Sequence, residues 1–185
     1  QGKAALRMTC LLICRLLDLL LLMPISSKDR CIIYKNWERD ALMFNSETIQ
    51  KFIPHRPPFL FVDQITACTP FESVQSILTL QSEAWYFQGH FPHNPVFPGV
   101  LSLECMGQTG AFLMTYSCNQ PWDSKNIYLM SIDNAKFRHA AKPGDTLNCT
   151  IKLVRQKGNI FKLYGEVFVD TVLVCSAYCM MMMSE

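Results

Sequence analysis

A histidine and a glutamate stand near the two ends of the stretch GHFPHNPVFPGVLSLE, residues 89–104. Histidine is the side chain best suited to accept a proton near neutral pH, and the prolines around His90 stiffen its loop. Glu104 lies among apolar residues, where a carboxyl must be paired or protonated, which suits a general acid. Such a pair could remove a proton beside a carbonyl group and protonate a hydroxyl that leaves from the next carbon.

The residues between them could supply an oxyanion site. From Gly99 to about Cys118 the chain has no proline, and apolar residues occur all round, which predicts a helix buried on every side. The first amides of this helix, at Gly99 and Val100, have no intrahelical acceptor. They could therefore hold a carbonyl oxygen as it gains negative charge.

The spacing also fits a purely structural role for both residues. His90 could be a structural histidine, and Glu104 could be a buried carboxyl that hydrogen-bonds to backbone groups. Gln108, one helical turn after Glu104, could orient the carboxyl or merely satisfy it. The spacing leaves open both a catalytic and a structural role for His90 and Glu104.

Other reactive side chains indicate no second site. His90 and His93 form an H-x-x-H pair on a proline-rich loop without a third ligand, so no metal site is predicted. Ser102 and Cys105 have no base beside them in the sequence and are interpreted as packing residues. The nine cysteines are odd in number and scattered, which indicates reduced, packed thiols in a cytosolic protein.

Helix and strand signals on both sides of this stretch predict the fold. A short helix capped by Ser46 is predicted to end at Pro54, ahead of the long helix. Strands are predicted at 59–67, 73–80, 127–137, 146–154, 160–170 and 172–182. One long buried helix with about six mostly antiparallel strands is an α+β fold, most simply a sheet wrapped around the helix. The open edges of such a sheet favour dimerisation.

Composition and charge set limits on the function. The chain has 185 residues, of which 50% are hydrophobic and 17% are charged, and these values fit one domain with a large core. A net charge of +2, with no basic run interleaved with aromatic residues, argues against nucleic acid as a partner. The folded domain is predicted to span residues 43–185.

Residues 1–42 have a different character. Arg15 and Asp18 interrupt their hydrophobic stretch, so its charge-free part is too short to span a membrane. These residues are interpreted as an N-terminal extension outside the fold: a segment ahead of the true start, a targeting leader or a real helix. We therefore expect a cytoplasmic protein that is not inserted in a membrane, or an organellar one if residues 1–42 are a leader.

Three stretches resemble the motifs of one enzyme family. GHFPHNPVFPGVLSLECMGQ (89–108), IPHRPPFLFVDQI (53–65) and IDNAKFRHAAKPGDTL (132–147) are similar, in order, to FabZ-type (3R)-hydroxyacyl-[acyl-carrier-protein] dehydratases. The resemblance runs from about Ile49 to the C-terminus and leaves out residues 1–42. It implies a hot-dog fold, dimers that assemble into a hexamer as a trimer of dimers, and active sites at the dimer interface.

The reaction that the resemblance implies is dehydration of (3R)-hydroxyacyl-acyl carrier protein (ACP) to trans-2-enoyl-ACP in fatty acid elongation, without cofactor or metal. By position, His90 would be the base, and Glu104 of the partner subunit would act on the β-hydroxyl. The backbone amides of Gly99 and Val100 would hold the thioester carbonyl. The resemblance also assigns residues to the acyl tunnel: Tyr128, Phe91, Pro98 and Gln108.

The expected partner, ACP, is acidic, so cations in the third motif are candidate docking charges: Lys136, Arg138 and Lys142. Their alternative role is a solvated turn. Pro57 stands where the family usually has an aromatic residue in PHR-x-PFL, which is a departure at the tunnel wall. Glu104 favours plain dehydration, because related dehydratase/isomerases usually carry aspartate there. The alternative functions are a non-catalytic acyl-binding hot-dog module and a hot-dog acyl thioesterase.

Overall fold

The computed structural model describes residues 43–121 and 126–184. The interpretation of residues 1–42 concerns a segment outside the described residues and stays a prediction. Helices and strands follow in the order β1 (Phe44–Asn45), α1 (Ser46–Phe52), β2 (Gln64–Thr69), β3 (Ser73–Thr79), α2 (Trp85–Gln88), α3 (Gly99–Ser117), β4 (Ile127–Phe137), β5 (Thr146–Lys157), β6 (Ile160–Val169) and β7 (Val172–Met183).

These strands form one sheet in the order β1-β2-β3-β5-β6-β7-β4, with each neighbouring pair antiparallel. Helix α3 packs against β3, β5, β6 and β7. The predicted α+β fold, a sheet that wraps around one long buried helix, is therefore confirmed. The sheet has seven strands because the two-residue β1 adds to the six that were predicted.

Alternating side chains of β5 explain how the sheet holds the helix. Leu147, Cys149 and Ile151 are buried, and the residues between them face outward. Helix α3 approaches the sheet closely at Gly110, where a Cβ would lie 2.6 Å from a methyl carbon of Leu163. Only glycine fits this position without displacing the strand side chain. The prediction that Cys149 packs in the core is confirmed.

Buried polar side chains of α3 are paired. The hydroxyl groups of Thr109 and Ser76 lie 2.8 Å apart, and Thr109 also donates to the carbonyl oxygen of Cys105. Ser117 accepts a hydrogen bond from the backbone N–H of Phe71. These bonds offset the cost of burying hydroxyl groups and fix the helix in register with the sheet.

Two local predictions were wrong. The N-cap of α1 is Asn45, whose side chain accepts a hydrogen bond from the N–H of Thr48 at 3.0 Å, and not Ser46. The strand predicted at 59–67 begins only at Gln64. The backbone of Phe59 and Phe61 bonds instead to a side chain of α3, which takes the place of a neighbouring strand.

In the part of the chain that the structure describes, strand β4 lies at one edge of the sheet and pairs only with β7. Most of its residues are exposed on both faces, including a group of large apolar side chains: Tyr128, Leu129, Met130, Ile132 and Phe137. An exposed apolar edge of this kind marks a surface suited to association. Over residues 43–121 and 126–184, the helices are too short or too polar to cross a membrane.

Candidate active site

His90 is held in its loop by hydrogen bonds to Val96. The ring atom Nδ1 lies 2.7 Å from the carbonyl oxygen of Val96, and the backbone N–H of Val96 donates to the carbonyl oxygen of His90 at 2.8 Å. A carbonyl oxygen can only accept, so the neutral ring carries its proton on Nδ1. Nε2 then keeps its lone pair, which is the state that a general base needs.

A cleft of about 470 Å³ lies beside this ring. It is lined by His90, Val96, Phe97, Gly99, Val100, Ser102, Phe137, Arg138, His139, Ala140, Ala141 and Val174. The structure thus brings together four of the predicted site residues: His90, Gly99, Val100 and Arg138. Because the loop, the start of α3 and the end of β4 meet here, the cleft combines a base with the amino end of a helix.

The amino end of α3 lies against the end of β4 at Gly99. A Cβ built on Gly99 would lie 2.8 Å from ring carbon Cδ1 of Phe137, so a larger residue would displace the ring or the helix. The N–H of Leu101 bonds to the carbonyl oxygen of Pro98 at 2.9 Å. The two preceding amides, of Gly99 and Val100, are helix-start donors directed by the α3 backbone, and both residues line the cleft.

Glu104 does not line the cleft that contains His90 of its own chain. It lies further along α3 and is partly exposed. Its Oε1 atom accepts a hydrogen bond from Nε2 of Gln108 at 2.9 Å and lies 3.4 Å from Nε2 of His55. Burial lowers the pKa of His55, against the opposing effect of the Glu104 carboxylate, and the Arg56 guanidinium lowers it further. His55 is therefore neutral at neutral pH, so this contact is not a full ion pair.

Gln108 connects Glu104 with the segment that precedes β2. Its side chain is 1% exposed. Oε1 accepts from the N–H of Phe61 at 2.7 Å, and Nε2 donates to the carbonyl oxygen of Phe59 at 2.8 Å as well as to Glu104. The sequence left open whether Gln108 orients the Glu104 carboxyl or merely satisfies it. The structure shows that Gln108 bonds to this carboxyl and that two backbone bonds hold the Gln108 amide in place.

The other residues assigned to the acyl tunnel do not line the cleft. The ring of Phe91 stacks on that of His90 with centroids 4.2 Å apart, and Pro98 is the N-cap of α3. Tyr128 is 51% exposed near the start of β4. Their tunnel role, and that of Gln108, stays a prediction.

The three candidate docking cations differ in position. Arg138 lines the cleft, and its backbone N–H donates to the carbonyl oxygen of Val174 at 2.8 Å. Lys136 and Lys142 are exposed outside the lining. The turn that carries Lys142 is closed by a bond from its N–H to the Asp145 carboxylate at 2.7 Å. Arg138 is thus the candidate that lines the same cleft as His90.

Two residues of the site were not selected from the sequence. His55 lies inside PHR-x-PFL and His139 lies beside Arg138. The residues that they contact, Glu104 and Leu173, are distant in the sequence. His139 lines the cleft, and its Nδ1 lies 3.0 Å from the carbonyl oxygen of Leu173. Their position could have indicated both residues, because each is a histidine within a stretch that resembles a family motif.

Cys105 and Ser102, which were interpreted as packing residues, are both buried. Cys105 is fully buried beside Cys149, and the hydrogen bond between the two thiols together with burial raises the pKa of Cys105, so the thiolate does not form near neutral pH. Within the described ranges, no three His, Cys, Asp or Glu side chains are grouped closely enough to hold a metal ion.

Comparison with known proteins places the chain in a family. Residues 53–178 match a family model described as a FabA-like domain. A 3-hydroxyacyl-[acyl-carrier-protein] dehydratase FabZ of Paramagnetospirillum magneticum is 42% identical over 138 residues, which cover 74% of this chain and 86% of that protein. The FabZ of Ehrlichia chaffeensis is 42% identical over 144 residues, 78% of this chain and 98% of that protein.

Solved structures agree on the fold. The dehydratase heterocomplex ApeI:P from Xenorhabdus doucetiae superposes with a TM-score of 0.59 at 14% identity, covering 74% of this chain and 91% of that one. A hypothetical thioesterase with coenzyme A from Streptococcus pneumoniae gives a TM-score of 0.51 at 12% identity, covering 65% of this chain and 84% of that one. At such identities the likeness concerns the hot-dog fold alone, whereas the sequence relatives and the family model define the group. The chain belongs to the FabZ-type dehydratases of the FabA-like family.

Proposed function

We propose that this protein removes water from (3R)-hydroxyacyl-ACP to give trans-2-enoyl-ACP during fatty acid elongation. The observation that carries the proposal is the cleft in which His90, with its lone pair on Nε2, shares one cavity with the first amides of α3. The names of the relatives give the same class of reaction for those proteins. A base beside an oxyanion site is what proton removal next to a thioester carbonyl requires.

In the proposed reaction, Nε2 of His90 takes a proton from Cα of the substrate. The amides of Gly99 and Val100 hold the thioester oxygen as it gains negative charge. Glu104 of the partner subunit protonates the β-hydroxyl, the Cβ–O bond breaks, and the Cα–Cβ double bond forms as water leaves. The proton gained by His90 and the one lost by the glutamate balance, so the two groups return to their starting states by proton exchange with solvent.

Two features support the supply of the acid by a partner subunit. Within one chain, Glu104 lies outside the lining of the cleft that holds His90. The cleft also opens beside apolar side chains that the single chain leaves uncovered: Val100 is 67% and Phe137 is 53% exposed. A second copy that covers them would bury apolar surface and close the site against water. We therefore propose a dimer, and a trimer of dimers as the assembly.

ACP is the proposed macromolecular partner. Arg138 at the cleft is placed to meet the phosphate of the prosthetic arm that carries the acyl chain, because guanidinium binds phosphate in a bidentate manner. Lys136 and Lys142 are exposed nearby in sequence and would meet the acidic surface of ACP. The cytoplasm, or an organelle if residues 1–42 are a leader, stays the predicted location.

The test is hydration of a trans-2-enoyl thioester, followed by the loss of enoyl absorbance with the full-length protein. Wild type should turn over, whereas His90→Ala and Glu104→Gln should each lose about 10²-fold or more in kcat. A thiol-trapping reagent in the same cuvette separates the alternatives. Release of free thiol would indicate a thioesterase, and acyl-ACP binding without either reaction would indicate a non-catalytic module. Wild-type rates in both variants would refute the proposed roles.

A further inference from the structure

The Gln108 amide makes three hydrogen bonds, and both of its N–H donors are used. Its oxygen accepts from the N–H of Phe61, and its two N–H bonds point to the carbonyl oxygen of Phe59 and to Oε1 of Glu104. A flipped amide would set its oxygen against two acceptors and its NH₂ group against a donor. The bonds to Phe59 and Phe61 therefore force the amide to present a donor to the glutamate.

The N–H of Gln108 donates to Oε1 of Glu104, so the two carboxyl oxygens have different surroundings. Oε1 accepts from Gln108 at 2.9 Å and can accept a second bond from Nε2 of His55 at 3.4 Å. Nδ1 of His55 is buried and has no hydrogen-bond partner among residues 43–121 and 126–184. A protonated ring would leave an N–H unsatisfied there, so the neutral ring with its proton on Nε2 is favoured. The Nε2–H of His55 is then a second N–H group close to Oε1, beside the hydrogen bond from Gln108.

We propose that Gln108, assisted by His55, is a positioning residue that reserves Oε1 of Glu104 as an acceptor and so keeps the acid proton on Oε2. A proton on Oε1 would face the N–H of Gln108, whereas a proton on Oε2 meets no such donor. The carboxyl can then gain or lose its proton on Oε2 without rotating about its bond to the side chain. The inference deepens the proposed dehydratase function and rests on it, since it concerns how the acid of that reaction is presented.

The variants follow from the donor pattern. Gln108→Met removes the donor, so kcat should fall about tenfold or more while KM stays within about threefold. Gln108→Glu keeps an acceptor for the N–H of Phe61, but only its protonated form can donate to Oε1 of Glu104. The ratio of its kcat to that of wild type should rise as pH falls. The same ratio for Gln108→Met should not rise as pH falls, because methionine has no form that can donate to Oε1.

Thr109→Val is the matched control. Thr109 is fully buried one residue along, and its hydroxyl bonds to Ser76 and not to Glu104. This variant should lose thermal stability as Gln108→Met does, yet keep kcat within about twofold of wild type. Because His55 titrates near Glu104 and Arg56 lies beside it, the pH series is repeated in a His55→Gln background. The rise should persist there.

Each outcome decides between the hypotheses. Wild-type kcat in Gln108→Met, or a pH-independent ratio in Gln108→Glu, would overturn the positioning role while wild-type turnover keeps the dehydratase function intact. An equal loss of kcat in Thr109→Val would reduce Gln108 to a stabilising residue. If the wild-type protein itself fails to turn over an enoyl thioester, the proposed function fails and the positioning role falls with it.

Discussion

His90 and Val96 bond to each other twice, once through the ring and once through the backbone. The ring atom Nδ1 lies 2.7 Å from the Val96 carbonyl oxygen, and the Val96 N–H reaches the His90 carbonyl oxygen at 2.8 Å. The backbone bond closes the loop between His90 and Val96, and the side-chain bond fixes the orientation of the imidazole. A backbone carbonyl thereby orients the proposed general base, in the role that a carboxylate often has.

This contact makes a prediction about the tautomer. With a carbonyl oxygen at Nδ1, the neutral ring of His90 should be the Nδ1–H form, because the other form would set two lone pairs against each other. Long-range ¹H–¹⁵N NMR of the neutral imidazole distinguishes the two nitrogens. A protonated Nδ1 and an unprotonated Nε2 are expected. The reverse pattern would remove His90 as a base that acts through Nε2, and His90→Ala identifies the signals.

Mixing of inactive subunits tests whether the site is shared. If each site takes His90 from one subunit and Glu104 of the partner subunit, a mixed dimer of His90→Ala and Glu104→Gln chains contains one intact site. Random exchange of equal amounts makes half of the dimers mixed, so about a quarter of the wild-type sites return. Activity is measured after the two variants are denatured and refolded together.

Separately refolded variants, mixed only afterwards under conditions that do not allow exchange, are the control and should stay inactive. If co-refolding restores no activity although size measurement shows mixed dimers, His90 and Glu104 of the same chain would have to serve one site. The geometry within a single chain speaks against that outcome, because Glu104 does not line the cleft of its own His90.

Gly99→Ala tests the contact between α3 and β4. The added Cβ would lie 2.8 Å from Cδ1 of Phe137, so either the ring or the start of the helix must move. Since Gly99 carries an oxyanion donor in the proposed mechanism, a shift of the helix start should lower kcat/KM about tenfold. Gly107→Ala on the same helix meets no heavy atom within 4 Å and should leave kcat/KM unchanged. Equal rates in the two variants would contradict the prediction.

The parts of the fold that depend on local patterns could be predicted from the sequence. The alternation of buried and exposed residues in β5 and the all-round apolar character of α3 correctly indicated a strand and a buried helix. The segment before β2 could not be predicted, because its backbone partner is the Gln108 side chain, 47 and 49 positions away. An apolar segment whose backbone bonds to a side chain has the same composition as a strand, so the sequence pattern does not distinguish the two.

The candidate site divides in the same way. His90 and Gly99 belong to one continuous motif, so their residue types and spacing were enough to connect them. His55 contacts Glu104 across a separation that no local pattern encodes, and only its place in a family-like motif could have drawn attention to it. The lining contributed by Phe137 and Val174 comes from two paired strands, and their approach to the helix start is a property of the sheet topology.

The buried thiols make a prediction about stability at alkaline pH. Burial raises the pKa of Cys175 to about 12, with smaller contributions from the Cys149 and Cys179 thiols, against 9.0 for an ordinary thiol. In the unfolded chain this thiol loses its proton above about pH 9, whereas the folded protein keeps it. The folded state then binds more protons, so the free energy of unfolding should fall as pH rises from about 9 towards 12. Below about pH 9 this thiol should make no difference.

Comparison of pH slopes isolates the thiol from other groups that titrate in this range. In urea unfolding between about pH 8 and 11, Cys175→Ala should show a shallower decline than wild type, by at most ~1.4 kcal/mol per pH unit. Val167→Ala is the matched control, because Val167 is equally buried and pairs with Cys175 across β6 and β7. It should lower stability at every pH without changing the slope. Parallel slopes for Cys175→Ala and wild type would mean that this thiol ionises as readily in the folded protein as in the unfolded chain.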